Sequence, residues 1–315
     1  MEAAPLKNDV AEGPRGGAAY WLTTEDEVRI RIAVWPEGGS KGTIFIFPGR
    51  TEYAEKYGRA ASEFQARGWA TVSVDWRGQG LADRLLPDRR IGHVDRFLDF
   101  QLDVAAVMQA GEDLDLPRPW YMLGHSMGGC IGLRAMMNGL DIEACAFSAP
   151  MWGIRIMPAL RPLAWTMGTV LPPIGLGNGR SPGANDTVYV LEGVFDNNTL
   201  TNDLEMWEYM GRQAEAEPQI ALGAPSIRWL GEALREMRAL SKMEAPDKPC
   251  VCFLGTNERI VDMGRIRTRM ANWPRGRLIE FKDAEHEVLM EEPSVRKRVF
   301  DECAALFEEA VPEPA

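Results

Sequence analysis

The sequence predicts an α/β protein in which one mostly parallel sheet is covered by helices on both faces. Six short runs are largely apolar, as strands buried on both faces are, and they lie at 44–47, 70–76, 120–123, 144–147, 249–254 and 277–281. Helix-like periodicity follows most of these runs, and an amphipathic helix is expected at about 294–310. The regular alternation of strand and helix is what indicates a parallel sheet.

The chain is expected to divide into a core and an insertion. Residues 20–35 alternate apolar and polar side chains around an acidic turn, which predicts two strands. From 151 to 246 the sequence is helix-like and rich in Pro and Gly, without a convincing strand. We therefore expect a loose tail at 1–17, a core at 18–150 and 247–315, and a mainly helical cap at 151–246.

Composition and charge narrow the range of functions. The 315 residues carry a net charge of −11, whereas a nucleic-acid partner needs a concentrated basic face, so no such partner is expected. No run of about 18 apolar residues predicts a transmembrane helix. The five cysteines mostly lie in apolar runs, which is typical of thiols in a reducing compartment and predicts a cytoplasmic protein. Cys250 and Cys252 would point to opposite faces of a strand, so no metal site is expected there.

One motif predicts a nucleophile. Residues 124–128 read Gly-His-Ser-Met-Gly, a G-x-S-x-G pattern between a predicted buried strand and a predicted helix. The two glycines allow a turn that is too tight for side chains at those positions. Ser126 would then present its hydroxyl at the C-terminal edge of the sheet, close to the amides of a helix N-terminus.

A serine hydroxyl needs a base, and histidine is the usual one. The chain has three histidines. His125 directly precedes Ser126, so its ring would point away from the hydroxyl at a sharp turn, and His93 lies before the second predicted helix. His286 lies in the loop after the last predicted strand, which returns to the same edge of the sheet. His286 is therefore the predicted base.

The base needs a carboxylate that orients it, and two loops could supply one. The loop after the fourth apolar run is excluded because residues 144–185 contain no Asp or Glu. The loop after the fifth run holds Glu258, three residues beyond Gly255, and Asp262. Glu258 is favoured because the loop has barely left the strand there, whereas Asp262 lies where a helix begins and suits an N-cap.

These features resemble the serine α/β-hydrolases of the monoacylglycerol lipase and lysophospholipase L2 type. The resemblance rests on the segments FPGRTEYAEKYG, SVDWRGQGLAD, GHVDRFLDFQLDV, LGHSMGG, LGTNERIVD and AEHEVLMEEP. It implies the α/β-hydrolase fold, and it implies an oxyanion hole formed by the backbone N–H groups of Arg50 and Met127. The broader family usually has His-Gly at Pro48-Gly49 and commonly Asp at Glu258; both departures resemble the lysophospholipase L2 branch.

The first part of the predicted cap has an unusual charge pattern. At the overall frequency of 46 acidic residues in 315, residues 144–185 would hold about six, yet they hold none. Arg155 and Arg161 lie in this stretch among apolar residues. A cap helix packed on the core explains the pattern. The alternative hypothesis is an apolar entrance for an acyl chain, with cations for a phosphate or carboxylate head.

The residues together predict a serine hydrolase of carboxylic esters that forms an acyl-enzyme and needs no cofactor or metal. The resemblance implies a lysophospholipid or a monoacylglycerol as the small-molecule substrate. A short-chain carboxylesterase, thioesterase or lactonase would use the same residues and stays open, as does, more remotely, a non-catalytic hydrolase-like binding protein. The oligomeric state and transient contact with a membrane are also left open.

Overall fold

One nine-stranded sheet runs through the part of the chain that the computed structural model describes, residues 1–182 and 189–311. The strands are β1 (Glu2–Ala4), β2 (Ala18–Thr23), β3 (Arg29–Trp35), β4 (Thr43–Phe47), β5 (Ala70–Asp75), β6 (Trp120–His125), β7 (Ala144–Ser148), β8 (Cys250–Gly255) and β9 (Gly276–Phe281). Their order is β1-β2-β3-β5-β4-β6-β7-β8-β9. Three strand pairs, β1-β2, β2-β3 and β3-β5, are antiparallel, and the other five are parallel. This arrangement confirms the predicted mostly parallel sheet.

Helices cover both faces of this sheet. They are α1 (Asn8–Ala11), α2 (Gly58–Gln65), α3 (Phe100–Asp113), α4 (Ser126–Met137), α5 (Arg161–Val170), α6 (Tyr189–Glu192), α7 (Leu204–Ala216), α8 (Ile227–Leu240), α9 (Met263–Ala271) and α10 (Pro293–Glu309). Short 3-10 turns directly precede α2, α3 and α5. In the described ranges no helix has the length and apolar character needed to span a bilayer.

Alternate side chains of the central strands enter two separate apolar cores. In β4, Phe45 and Phe47 join the core that also contains residues of α3, α4, α8 and α9. Ile44 and Ile46 join the core that contains residues of α2 and α10. A strand buried on both faces needs an apolar side chain at nearly every position. This requirement explains the continuous apolar runs in the sequence.

The N-terminal segment differs from the predicted loose tail. Residues 2–4 form β1, which pairs antiparallel with β2, and α1 buries Ala11 completely. The outer edge of β2 offers unpaired backbone groups, and β1 satisfies them. Composition alone could not reveal this pairing, because it depends on the backbone of a distant strand rather than on the side chains of the segment.

The inserted region lies between β7 and β8 and carries α5 to α8. Its last helix, α8, packs Ala233 and Met237 into the same core as Phe47, so this part of the predicted cap belongs to the packing of the sheet. In α5, Pro162 occupies the first helical turn, where its missing N–H leaves no hydrogen bond unmade. Residues 183–188 of the predicted cap and 312–315 of the predicted core lie outside the described residues.

The antiparallel part of the sheet contains a buried ion-pair network. Arg31 of β3 donates from Nε to Asp75 Oδ2 at 2.8 Å and from Nη1 to Glu55 Oε1 at 2.8 Å. The side chains of all three residues are at most 1% exposed. Asp75 also accepts the backbone N–H of Ala54 at 2.7 Å. The network therefore joins β3, β5 and the turn that leads into α2.

We expect Arg31→Met to lower the free energy of unfolding by about 3–5 kcal/mol, because it leaves two buried carboxylates without their cation. Urea unfolding followed by circular dichroism measures this loss. The matched control is Arg29→Met on the same strand, because the Arg29 side chain is 49% exposed and its Nε lies 3.8 Å from Asp83 Oδ1. The control should unfold close to the wild type. Equal losses in both variants would contradict the role given to the buried network.

Candidate active site

Ser126 lies at the turn between β6 and α4. Its φ is 48°, a left-handed value that residues other than glycine rarely adopt. The glycines around it allow the backbone segments to approach closely. A Cβ on Gly124 would lie 2.9 Å from Gly129 Cα, and a Cβ on Gly128 would lie 1.9 Å from the carbonyl oxygen of Phe47. The strained turn therefore packs α4 against β4 and β6 and leaves Ser126 at the C-terminal edge of the sheet.

His286 and Glu258 form a buried hydrogen-bonded pair. His286 Nδ1 lies 2.6 Å from Glu258 Oε2, a contact that holds the ring proton on Nδ1. The other carboxylate oxygen accepts the backbone N–H groups of Ile260 at 2.6 Å and Val261 at 3.0 Å. Burial disfavours the charged carboxylate. His286 and the two amides outweigh that effect and hold the pKa of Glu258 below its usual range.

Asp262, the alternative acid, has a different function in the fold. It is the N-cap of α9, where its Oδ1 accepts the backbone N–H of Arg265 at 3.3 Å. Its Oδ2 lies 3.6 Å from Arg161 Nη2. The N-cap interpretation of Asp262 is confirmed, and Glu258 is the carboxylate that the structure brings into contact with His286.

Met127 and Arg50 carry the two backbone N–H groups that the resemblance assigns to an oxyanion hole. Met127 is the second residue of α4, and Arg50 belongs to the loop after β4. The loop approaches the serine closely, since a Cβ on Gly49 would lie 3.1 Å from Ser126 Cβ, and the Gly49 N–H donates to Glu52. Among the described residues, neither the Arg50 nor the Met127 N–H finds an acceptor. Both donors are therefore available to a ligand.

One cavity of about 390 Å³ has Ser126, His286 and Arg50 in its wall. The inserted region contributes mainly apolar side chains to this wall, among them Val190, Leu200, Met210 and Leu222. The cavity thus combines polar groups at the sheet edge with an apolar lining above them, which is the usual composition of a small-molecule site.

Arg155 and Arg161, the cations that the sequence suggested for a substrate head, lie elsewhere. They line a separate groove of about 620 Å³, and the described wall of that groove contains neither Ser126 nor His286. Arg155 Nη1 approaches the carbonyl oxygen of Glu258 at 3.5 Å. The structure therefore does not bring these two arginines to the serine.

Four ionisable side chains are buried beside the serine and the histidine, and we call them the buried charge cluster (Glu52, Lys56, His125, Glu287). Lys56 Nζ lies 2.6 Å from Glu52 Oε1 and 2.6 Å from Glu287 Oε1. His125 Nε2 lies 3.4 Å from Glu52 and 3.3 Å from Glu287. The ring centroids of His125 and His286 are 4.8 Å apart. The cluster therefore adjoins the predicted base directly.

The members of the buried charge cluster stabilise one another's charged forms. Burial disfavours the ionised form of Glu287, but His125 and Lys56 hold its pKa well below the usual range. Burial also opposes the charged forms of Lys56 and His125, and the two carboxylates raise both pKa values in spite of it. The Lys56 ammonium and the His125 ring both lie against the two carboxylates, which limits the desolvation penalty of burying them.

The same cluster includes a set of atoms that resembles a metal site. One ligand atom each from Glu52, His125 and Glu287 lie within 4.8 Å of one another. Carboxylate and imidazole groups are common metal ligands. Here Lys56 donates to both carboxylates, so its ammonium group already supplies the positive charge that an ion would bring. We therefore assign this set of atoms to the ion-pair cluster.

The sequence alone did not reveal the buried charge cluster. One available signal was the i, i+4 spacing of Glu52 and Lys56 directly after a buried strand. Another was Glu287, a second carboxylate immediately after the predicted base. Neither signal shows burial, and the cluster exists only because β4, β6 and the loop after β9 meet at one edge of the sheet.

Fold and site together define a class of protein. A serine on a strained strand-to-helix turn, a histidine bonded to a buried carboxylate, and two available amides are the parts that serine hydrolases of the α/β-hydrolase fold combine. The family model described as "Serine aminopeptidase, S33" matches residues 38–293. The chain belongs to this family.

Curated relatives and a solved structure resemble this chain over most of its length. Lysophospholipase L2 of Escherichia coli (strain K12) is 30% identical over 294 residues, which cover 87% of this chain and 83% of the relative. The probable lysophospholipase L2 of Haemophilus influenzae is 28% identical over a match that covers 85% of this chain and 84% of the relative. A solved structure of a soluble variant of the Saccharomyces cerevisiae monoglyceride lipase, in complex with a substrate analogue, superposes on this chain with a TM-score of 0.72 at 20% identity. The match covers 93% of this chain and 95% of the lipase chain.

We expect Glu287→Gln to destabilise the protein by about 3 kcal/mol at pH 6, because it removes one charge from a buried pair. The folded-state pKa of Glu287 is depressed, so its stabilising contribution is complete above the usual value of about 4.5 and disappears as the pH falls below it. The difference in unfolding free energy between variant and wild type should therefore shrink between pH 6 and pH 3. Urea titrations at several pH values measure it.

The control for this pH experiment is Glu244→Gln, because Glu244 is an exposed carboxylate. The unfolding free energy of this control should differ little from that of the wild type at every pH. A constant difference between Glu287→Gln and the wild type from pH 6 to pH 3 would contradict an ionised, buried Glu287.

Proposed function

We propose that the protein is a serine hydrolase that cleaves the carboxylic ester of a lysophospholipid or a monoacylglycerol through an acyl-enzyme. The observation that carries this proposal is the shared cavity, in which Ser126 and the Glu258-bonded His286 meet an apolar wall. The names of the lysophospholipase L2 relatives support the choice of substrate class.

The proposed reaction uses each site residue in turn. The Ser126 hydroxyl attacks the ester carbonyl while His286 Nε2 accepts its proton, and the imidazolium then protonates the leaving alcohol. Glu258 holds the ring in the required tautomer and stabilises its charge. The Arg50 and Met127 N–H groups donate to the oxyanion that forms at the carbonyl. Water, activated by His286, then releases the fatty acid.

The apolar cavity wall favours a long acyl chain over a short one. Side chains from the inserted region supply most of this apolar surface, and a hydrocarbon chain buries more of it than an acetyl group does. A short-chain carboxylesterase, thioesterase or lactonase would use the same catalytic groups. Relative rates on p-nitrophenyl esters of increasing chain length distinguish these substrates.

We further propose that the inserted region contacts a lipid surface transiently. Met157, Leu160 and Leu163, at the start of that region, are exposed by 68%, 49% and 55%. Residues 144–185 carry no carboxylate that an anionic surface would repel. Exposed apolar side chains of this kind favour an interface between water and lipid. Five buried free cysteines are compatible with a reducing, cytoplasmic location.

Ser126→Ala tests the proposed function. The variant should lose labelling by a fluorophosphonate probe, and its hydrolysis of 1-oleoylglycerol should fall by on the order of 10⁵-fold or more, because nothing else supplies the nucleophile. The matched control is Ser294→Ala at an exposed serine, which should label and hydrolyse like the wild type. Equal labelling of Ser126→Ala and wild type would overturn the proposal and favour a non-catalytic role.

A second pair of variants tests the choice of acid. Glu258→Gln should reduce kcat by about 10³–10⁴-fold, because a neutral amide neither fixes the His286 tautomer nor stabilises the imidazolium. Asp262→Asn is its control, because asparagine caps a helix as well as aspartate does, and this variant should keep its rate and its stability. If Asp262→Asn were the slower enzyme, the acid would have to be reassigned to Asp262.

A further inference from the structure

We propose that the guanidinium group of Arg50 binds the phosphate of the substrate's head group, on the leaving-alcohol side of the ester. The inference rests on the proposed ester hydrolysis and adds a head-group site to it. Arg50 would then act twice, through its backbone N–H at the oxyanion and through its side chain at the phosphate.

The charged residues in the cavity wall favour Arg50 as the partner of a phosphate. Among the described residues that line it, two carry a permanently charged cation, Arg50 and Lys56. Lys56 is committed to Glu52 and Glu287, at 2.6 Å from each. Arg50 makes no ion pair with any described carboxylate. It is therefore the cation in this cavity wall that lacks an anion.

Arg50 contacts groups that orient its guanidinium without neutralising it. Its Nη1 donates to the carbonyl oxygen of Gly223 at 2.8 Å, and its guanidinium lies 5.6 Å from the ring centroid of Trp229. A Cβ on Gly92 would lie 3.3 Å from the same Nη1, so this glycine leaves room for the group. A carbonyl dipole and an aromatic face orient a guanidinium but do not neutralise its charge. Most of its five N–H donors remain available.

A guanidinium in this setting favours an anionic ligand. Burial lowers the pKa of Arg50 to about 10, with no carboxylate to offset it. The charge has lost part of its hydration, and an anion that approaches it meets a low local dielectric rather than bulk water. The planar fork of arginine also matches two phosphate oxygens. A phosphate therefore recovers more free energy here than it would at an exposed arginine.

Covalent geometry makes the two contacts compatible in one substrate. In a lysophospholipid, the chain of bonds from the acyl carbonyl carbon through the glycerol to phosphorus has the same number of bonds as the chain from the arginine backbone nitrogen to the guanidinium carbon. A phosphate at the Arg50 side chain is thus within covalent reach of an oxyanion at the Arg50 N–H. A monoacylglycerol would reach the same oxyanion donors and leave the guanidinium without a ligand.

The test compares 1-oleoylglycerol 3-phosphate with 1-oleoylglycerol in the same neutral detergent micelles, since the two differ only by the phosphate. The measured quantity is the ratio of their kcat/KM values. Arg50→Met should lower this ratio by about 10- to 100-fold, as expected for loss of a charged hydrogen-bond pair. For Arg50→Lys the ratio should lie between those of Arg50→Met and the wild type, because lysine keeps the positive charge but lacks the planar guanidinium that binds two oxygens.

Arg161→Met is the control, because Arg161 is an arginine in the separate groove; its ratio should equal that of the wild type. Equal losses on both substrates in Arg50→Met would overturn the head-group role and leave Arg50 as a structural tether to Gly223. A fall of the ratio in Arg161→Met alone would move the head site to the groove. If the wild type rejects the phosphate substrate but hydrolyses 1-oleoylglycerol, this inference fails while the proposed esterase function stands.

Discussion

The geometry of the site depends on the ion pairs of the Lys56 ammonium group. It lies between Glu52, in the loop after β4, and Glu287, the residue next to His286. The loop after β4 and the loop after β9 are far apart in the chain, and His125 also lies between them, 3.4 Å from Glu52 and 3.3 Å from Glu287. Because Glu52 also accepts the N–H of Gly49, a shift of Lys56 would move both the proposed oxyanion donor and the base. The positions of the two loops are therefore held by buried charges.

The site also depends on the inserted region, through backbone hydrogen bonds. His286 N–H donates to the Thr199 carbonyl at 3.3 Å, and Glu287 N–H donates to the Leu200 carbonyl at 2.8 Å. From the other side, the Arg50 guanidinium holds the Gly223 carbonyl. The inserted region thus contacts both of these loops directly, so a change in the shape of the cavity wall also changes the positions of His286 and Arg50.

Much of the fold was predictable because its physical causes are local. Continuous apolar runs mark strands buried on both faces, and the glycines of G-x-S-x-G mark a turn that excludes side chains, as the 1.9 Å approach to the Phe47 oxygen illustrates. The contact between Glu258 and His286 followed from which loops end at one sheet edge. By contrast, β1 and the buried charge cluster depend on partners that are distant in sequence. The residues near Lys56 in the sequence do not indicate that its side chain contacts Glu287.

The side chain of Arg50 shows why contacts decide what motifs leave open. From the sequence, its guanidinium could pair with Glu52 or face a substrate, since the two residues are two positions apart. In the fold, Glu52 accepts hydrogen bonds from Lys56 at 2.6 Å, from Tyr57 at 2.6 Å and from Gly49, so its oxygens are already occupied. By donating to Glu52, the Lys56 ammonium therefore leaves the Arg50 guanidinium without this local ion pair. A cation without a carboxylate partner among the described residues is thus available in the wall of a cavity to which the inserted region contributes mainly apolar side chains.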